Sequence, residues 1–243
     1  MSTAPPPKTF PRSGPRPALS RRQRSHQTPP TLPTPAPVCR AEKVKAAVDY
    51  PLAALMLVVL APVVLLALLA VKLTSRGPSL YTQSRVGRGG RVFTIYKIRT
   101  MFHECESLTG PRWSMPGDPR ITPIGRVFRA LHIDELPQLW NVLKGDMALV
   151  GPRPERPEIC KQLRQVVPGY DKRHAVKPGI TGFAQVHLPP DSCLRSVRNK
   201  VAYDRFYILR MSPRTELYVY VCTALKLVGL RGVYRRPPRK PAE

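Results

Sequence analysis

The sequence predicts a mostly α-helical protein with a small β-hairpin, a re-entrant membrane helix and a folded domain seated on the membrane. Three observations carry this prediction. The stretch from Tyr50 to Val71 contains no charged residue and is long enough to enter a membrane. Two β-rich segments joined by a glycine-rich turn follow it. Most of the remaining chain shows apolar residues at helical spacing.

The uncharged stretch is a membrane helix that is expected to turn back rather than cross. Pro62 lies in its middle and removes a backbone hydrogen bond, so the sequence predicts a helix break there. Basic residues flank both ends, and such residues prefer the cytoplasm. They are Arg40, Lys43 and Lys45 before the stretch and Lys72 and Arg76 after it. A straight spanning helix is the alternative, and it would place one flank on the wrong side.

Composition divides the chain into four parts. The net charge is +25, and the first forty residues contain eleven prolines, seven Lys or Arg and no acidic residue. That composition predicts a disordered tail over 1–40, followed by the membrane anchor over 41–76, the domain over 77–230 and a basic tail over 231–243. The five cysteines are scattered without a Cys-x-x-Cys pair, which favours reduced thiols over a zinc site or a disulfide framework.

The elements of the domain follow from local patterns. Ser79–Val86 and Arg91–Thr100 predict the hairpin, with residues 87–90 as its turn. Pro178–Gly182 predicts another turn. Helices are predicted over Ile124–Leu131, Leu136–Leu143, Arg156–Val167, Asn199–Leu209 and Glu216–Leu230. The last of these is unusually apolar, so a buried core helix and a helix on the membrane surface are equal alternatives.

Two adjacent carboxylates, Asp134 and Glu135, precede the second of these helices. The residues Leu136, Leu139, Trp140 and Leu143 have the spacing of a buried face. Asp134 is then expected near the positive end of the helix dipole, which favours its ionised, nucleophilic form. The simpler alternative is that Asp134 only caps the helix.

Several short blocks around this pair resemble the bacterial sugar transferase family, the monotopic phosphoglycosyl transferases. The resemblance extends from about Lys45 to about Tyr234. Besides the carboxylates and the Gly151-Pro-Arg-Pro154 turn, the matching blocks are Gln83–Gly87, Tyr96–Met101, Asp118–Thr122, Gly125 with Arg129, Lys177–Gly182 and Tyr203–Tyr207. The family transfers a phosphosugar from a nucleotide diphosphosugar to a membrane polyprenyl phosphate, and its catalytic domain faces the cytoplasm.

The resemblance implies a role for each candidate residue. Asp134 would be the nucleophile that forms a covalent aspartyl-phosphosugar with release of UMP. Glu135 would bind Mg²⁺ together with Asp134 or deprotonate the polyprenyl phosphate, and both roles stay open. Arg129 and Arg153 would bind phosphate, since the guanidinium fork suits phosphate oxygens. Weaker phosphate-binding candidates are Lys97, Arg99, Arg120 and Arg173.

Some positions depart from the family pattern. Ala61 replaces the usual Ser before Pro62, and His132 replaces a Ser or Thr, where a packing or capping role is favoured over a general base. Phe183 and the segment 187–190 also differ, in a region where sugar or nucleotide specificity could be set. The sequence therefore leaves open which UDP-sugar is used, and it leaves the oligomeric state open too.

Two non-catalytic alternatives fit the sequence less well. The charge alone would suit a membrane-tethered nucleic-acid-binding protein, but the basic residues are dispersed and no nucleic-acid-binding motif occurs. A membrane scaffold without catalysis is disfavoured by the intact carboxylate pair and both arginines. The expected partners are therefore a UDP-sugar, polyprenyl phosphate and membrane lipid, at the bacterial inner membrane.

Overall fold

The computed structural model describes residues 40–105, 117–190 and 193–230; apart from Arg40, which begins the first helix, both predicted tails lie outside this part of the chain. As predicted, the described residues are mostly helical with a small hairpin. The helices are α1 (Arg40–Thr74), α2 (Pro123–Ala130), α3 (Gln138–Leu143), α4 (Pro157–Val166), α5 (Phe183–His187), α6 (Leu194–Leu209) and α7 (Pro213–Leu227). The strands are β1 (Leu80–Val86), β2 (Val92–Ile98), β3 (Ala148–Val150) and β4 (Gly179–Thr181).

Helix α1 is helical from end to end, including Pro51 and Pro62. The predicted break at Pro62 therefore does not interrupt the secondary structure, because one missing N–H can bend a helix without ending it. Among the described residues, α1 alone is long and apolar enough to cross a membrane. Its exposed side chains include Leu55, Val58, Val59, Leu65, Leu66 and Leu69.

Both halves of α1 pack against the same domain. In the first half, Ala53 is buried in an apolar cluster with Ile95 and Leu139. In the second half, Ala67 and Val71 are buried in another cluster, which includes Ile98 and Phe128. The middle of the helix, residues 58–66, contains no buried residue.

The hairpin carries Lys97, one of the predicted phosphate-binding residues, and is bonded to α3. Strands β1 and β2 are antiparallel, with Leu80 opposite Ile98 and Val86 opposite Val92. The amide of Asn141 in α3 ties β2 in place: Asn141 Nδ2 donates to the Thr94 carbonyl (2.7 Å), and the Tyr96 N–H donates to Asn141 Oδ1 (3.1 Å). This anchor fixes the position of α3 relative to the hairpin.

The burial of α3 differs from the prediction. Trp140 is 52% exposed, whereas Asn141 is fully buried and Gln138 nearly so. The apolar spacing was right for Leu139, which is buried, and wrong for Trp140, because Asn141 faces β2 and bonds both backbone groups there. The polar Asn141 thus occupies the centre of the contact between α3 and β2, and the Trp140 indole lies outside that contact.

Residues 179–181, predicted as part of a turn, instead form a short strand. β4 pairs in parallel with β3, and Ala148 lies opposite Gly179. The two strands approach so closely that a Cβ on Gly179 would lie 2.0 Å from the Gly151 nitrogen. A pairing of only three residues per strand leaves too little sequence signal to predict.

Helix α7 has a buried core face, as the first alternative predicted, and its position on a membrane surface stays a prediction. Val219 and Cys222 are buried in a core cluster with Tyr207 and Val150. Leu217 and Val221, on another face, are exposed. The helix is therefore part of the core on one side and apolar but uncovered on another.

Candidate active site

The carboxylate pair lies on a single 3-10 turn, Ile133–Glu135, between α2 and α3. The turn starts at His132, whose φ of 57° is in the left-handed region. This explains the sharp change of direction, and no side-chain capping bond from His132 accompanies it. Asp134 is therefore not a helix cap, since α3 starts four residues later at Gln138.

Glu135 is the electrostatic centre of the site. Its Oε1 accepts hydrogen bonds from Lys97 Nζ (2.8 Å) and from Arg153 Nη2 (2.5 Å). Lys97 comes from β2 and Arg153 from the loop after β3, so three separate elements meet at one carboxylate. Burial alone would raise the pKa of Glu135, but the charges of Arg153 and Lys97 hold it well below its usual range. Glu135 is therefore ionised at neutral pH and a weak proton acceptor.

Asp134 has a different environment, although it is the next residue. Its side chain is buried, with the residue 8% exposed. Within the described part of the chain, no residue donates a hydrogen bond to its carboxylate. Burial raises the pKa of Asp134 and the charge of Glu135 adds to this, while Lys97, Arg129 and Arg153 oppose it. Burial thus outweighs the nearby cations, and the net direction is opposite to the one expected from a helix dipole; α3 itself begins only at Gln138.

Arg129 approaches the pair from α2. Its Nε donates to Thr100 Oγ1 (2.8 Å), and its charge lowers the pKa of Asp134. Burial in turn lowers the pKa of Arg129. Four predicted residues, Asp134, Glu135, Lys97 and Arg153, thus lie together, and Arg129 lies at their edge.

The three remaining basic candidates form hydrogen bonds or ion pairs within the protein. Arg99 donates to the carbonyl oxygens of Arg76 and Ser75 at the end of α1. Arg120 forms an ion pair with Asp118 (2.6 Å). These contacts give Arg99 and Arg120 an evident structural role in addition to the predicted one.

Arg173 supports the loop that carries Arg153. It is buried, forms an ion pair with Asp204 (2.8 Å) and donates from Nη2 to the Arg153 carbonyl (2.9 Å). The structure therefore places Arg173 behind the backbone of Arg153. Its predicted contact with substrate phosphate stays a prediction.

Arg85 is a site-supporting residue that the sequence analysis did not single out. Its Nη1 donates to the Pro154 carbonyl (3.0 Å) and to Glu155 Oε1 (3.1 Å). The backbone N–H of Val86 also donates to the Glu155 carbonyl (2.9 Å). Arg85 lies in the Gln83–Gly87 block that resembles the family, and this was the only hint of its importance in the sequence. The sequence could not show that it contacts Pro154 and Glu155.

Known proteins resemble this chain over most of its length. The family model described as bacterial sugar transferase matches residues 40–229. A UDP-N-acetylgalactosamine-undecaprenyl-phosphate N-acetylgalactosaminephosphotransferase of Aeromonas hydrophila is 41% identical over 169 residues, which cover 70% of this chain and 40% of that protein. An undecaprenyl-phosphate glucose phosphotransferase of Komagataeibacter xylinus is 47% identical over 200 residues, covering 78% of this chain and 37% of that protein.

A shorter relative is matched over most of its own length as well. The UDP-glucose:undecaprenyl-phosphate glucose-1-phosphate transferase of Caulobacter vibrioides is 40% identical over 202 residues, covering 82% of this chain and 75% of that protein. The chain thus spans about two fifths of the first two relatives and three quarters of the third. With the family model matching from α1 to the end of α7, the chain belongs to the bacterial sugar transferase family.

Proposed function

We propose that the chain transfers a sugar 1-phosphate from a UDP-sugar to undecaprenyl phosphate, the kind of reaction for which its relatives are named. The observation that carries the proposal is the contrast within the carboxylate pair. Glu135 is fixed by two cations, whereas Asp134 lies beside it, buried and without a hydrogen-bond donor in the described residues. A buried carboxylate that accepts no hydrogen bond from the described residues can attack a phosphorus atom without first losing such a bond, which suits a nucleophile.

The proposed reaction has two steps through Asp134. In the first step a carboxylate oxygen of Asp134 attacks the β-phosphorus of the UDP-sugar, forming an aspartyl–phosphorus bond. The bond between that phosphorus and the bridging oxygen breaks, and UMP leaves with the electron pair. In the second step a phosphate oxygen of undecaprenyl phosphate attacks the same phosphorus, which releases Asp134 and forms the lipid diphosphosugar. Such a double displacement predicts ping-pong kinetics.

The cations of the site favour this chemistry through fixed charge. Phosphoryl transfer depends mainly on positioning and on stabilising the phosphate oxygens in the transition state. Lys97, Arg129 and Arg153 all act on the charge of Asp134, so they are near enough to stabilise phosphate oxygens attached to it. Glu135, with its lowered pKa, is better suited to holding Lys97 and Arg153 or a metal than to acting as a base.

A bound Mg²⁺ is compatible with this donor set. In the described residues no group of three or more His, Cys, Asp or Glu side chains could hold a metal alone. Mg²⁺ commonly uses one or two carboxylates with substrate phosphates and water, which Asp134 and Glu135 could provide. The bound ion would neutralise charge on the diphosphate.

We further propose that α1 enters the membrane and returns to the same face. Its apolar clusters with the domain lie on both sides of the uncovered segment 58–66. That segment is about 14 Å long at about 1.5 Å per residue, less than half of the roughly 30 Å of a hydrocarbon core. A straight crossing would require one domain to contact the helix on both membrane faces. The nucleotide sugar is cytosolic, so this face is the cytoplasmic one.

A non-catalytic nucleic-acid-binding or scaffolding role is less well supported. Within the described part of the chain, several basic side chains are bound internally rather than presented on a surface. Examples are Lys45 with Glu216, Arg85 with Glu155, Lys97 with Glu135 and Arg173 with Asp204. Internal ion pairs use the charge that a nucleic-acid surface would need.

The test is UMP release by membranes containing the chain, undecaprenyl phosphate and either UDP-glucose or UDP-N-acetylgalactosamine. Asp134→Asn should reduce release by several orders of magnitude because it removes the nucleophile at nearly constant volume. Asp146→Asn is the matched control, since Asp146 follows α3 and pairs with Lys144 at the surface. UMP release by Asp134→Asn equal to that of the control would refute the covalent route. A panel of further UDP-sugars would identify the substrate.

A further inference from the structure

We propose that Asp49, in the membrane helix α1, is a positioning residue for Arg153. The inference rests on the proposed phosphosugar transfer. Strand β3 ends at Val150, only three residues before Arg153. Whatever fixes β3 therefore also fixes the start of the loop that carries the Arg153 guanidinium.

Strand β3 is held by a neighbouring strand and by a side chain. On one edge it pairs with β4, and Ala148 N–H donates to the Pro178 carbonyl (2.8 Å). A side chain binds the backbone between the paired residues Ala148 and Val150: the Leu149 N–H donates to Asp49 Oδ2 (3.1 Å). The Tyr207 hydroxyl also lies 3.3 Å from the Val150 carbonyl oxygen, although its closer acceptor is Glu216 Oε1 (2.5 Å).

Asp49 is itself firmly held. It is 4% exposed, and Lys45 Nζ lies 3.1 Å from its Oδ2. The Tyr220 hydroxyl of α7 donates to its Oδ1 (3.0 Å). Lys45 also pairs with Glu216 (2.6 Å). A buried carboxylate with this many partners defines one position for the backbone N–H that it receives.

The loop beyond β3 transmits that position to Arg153. The Gly179 N–H donates to the Pro152 carbonyl (3.0 Å), and Arg173 donates to the Arg153 carbonyl (2.9 Å). Because Arg85 also holds the Pro154 carbonyl, the loop has little freedom to absorb a shift of β3. A displacement at Leu149 should therefore change the 2.5 Å contact between Arg153 and Glu135.

The position of Asp49 gives this arrangement a function beyond stability. Asp49 lies in α1 directly before the uncharged stretch that starts at Tyr50. The helix that enters the membrane is thus bonded to the strand that positions an active-site cation. The seating of α1 in the bilayer and the geometry of Arg153 are coupled through one carboxylate.

The experiment compares Asp49→Ala, Asp49→Asn and Tyr220→Phe in the full chain in membranes or nanodiscs. Asp49→Ala should lower kcat for UMP release about a hundredfold, the loss expected for a misplacement of about 1 Å, with the KM for the UDP-sugar changed little. Asp49→Asn should retain most activity because its amide oxygen can still accept from Leu149. Tyr220→Phe, which removes one bond to Asp49, should give a smaller loss.

Two further measurements separate positioning from general destabilisation. In an Arg153→Ala background, Asp49→Ala should cause almost no additional loss, because the residue that it positions is absent. Val197→Ala, a buried change in α6, is the control, and its effect should multiply with that of Arg153→Ala. Hydrogen exchange of the segment 147–153 should accelerate in Asp49→Ala and stay at the wild-type rate in Val197→Ala.

Each outcome decides the proposal. Unchanged exchange of 147–153 in Asp49→Ala would overturn it, as would full multiplication of the Asp49→Ala and Arg153→Ala losses. Equal damage by Asp49→Asn and Asp49→Ala would also overturn it, since the amide keeps the acceptor. A wild-type chain that releases no UMP from any UDP-sugar would instead refute the proposed function, while the exchange measurement would still report whether Asp49 fixes β3.

Discussion

Replacing Arg153 by Ala should reduce activity far more than it reduces stability. The change removes the guanidinium that lies 2.5 Å from Glu135 Oε1 and leaves Lys97 as the remaining partner at 2.8 Å. A hydrogen bond to a charged group contributes about 1.5–3 kcal/mol to stability. The Arg153 side chain is 41% exposed, so solvent screens this pair and we expect a loss of only about 1 kcal/mol.

The expected loss of rate is larger than this loss of stability, because the Arg153 guanidinium would also stabilise the phosphoryl group during its transfer. Removal of one preorganised donor to a transition-state oxyanion typically costs a hundredfold or more, which is about 2.7 kcal/mol at 1.36 kcal/mol per factor of ten. The assay is UMP release at saturating UDP-sugar, with unfolding by denaturant measured on the same preparation. Arg153→Lys should give an intermediate rate, since it keeps the charge and loses the fork.

Arg164→Ala is the matched control for this prediction. Arg164, in α4, also forms a 2.7 Å ion pair, but its partner Asp171 has a side chain that is 43% exposed, whereas the Glu135 side chain is 12% exposed. Removal of Arg164 should change stability by less than about 1 kcal/mol and leave the rate unchanged. If Arg153→Ala and Arg164→Ala showed equal rates, Arg153 would act only as bulk charge and the reasoning would fail.

Three further predictions concern pH, metal and topology. Burial raises the pKa of Asp134 above 3.8, so kcat/KM should fall as the pH is lowered, with an apparent pKa above 3.8. An apparent pKa at or below 3.8 would contradict the role of Asp134 as the ionised nucleophile. Chelation by EDTA should abolish UMP release, and Glu135→Gln should strongly reduce it. UMP release that persists in EDTA would refute the proposed Mg²⁺ dependence. In a variant without native cysteines, Pro30→Cys should resist a membrane-impermeant thiol reagent in whole cells until lysis, whereas labelling of intact cells would indicate a spanning helix. Pro62→Leu should straighten α1 and increase that labelling.

The sequence predicted the elements that have strong local signals. The apolar stretch became α1, and the segments around the glycine-rich turn became β1 and β2 with boundaries shifted by one or two residues. It missed β3 and β4, whose pairing depends on the close approach of Gly151 and Gly179 rather than on any local pattern. It also misjudged Trp140, because a buried amide at Asn141 outweighed the apolar spacing of α3.

The candidate site shows the same division between local and long-range information. The carboxylates are adjacent in sequence, so their pairing was visible, and Lys97 and Arg153 were suggested by resemblance. The roles of these residues depend on contacts between elements far apart in the chain. Glu135 has a lowered pKa because β2 and the loop after β3 converge on it, and Asp134 has a raised one because they do not neutralise it fully.

This asymmetry explains how two neighbouring carboxylates can serve different purposes. If both had been free to titrate at similar pH, each would suppress the ionisation of the other, as like charges at close range do. Lys97 and Arg153 reduce that conflict by holding the pKa of Glu135 well below its usual range, whereas burial and the charge of Glu135 raise the pKa of Asp134. In the proposed reaction Glu135 would hold Lys97 and Arg153 in place while Asp134 gains and loses its covalent bond. Under the positioning role that we propose for Asp49, the bond from the Leu149 N–H to Asp49 in α1 would then also help to set the geometry of Arg153 beside Asp134.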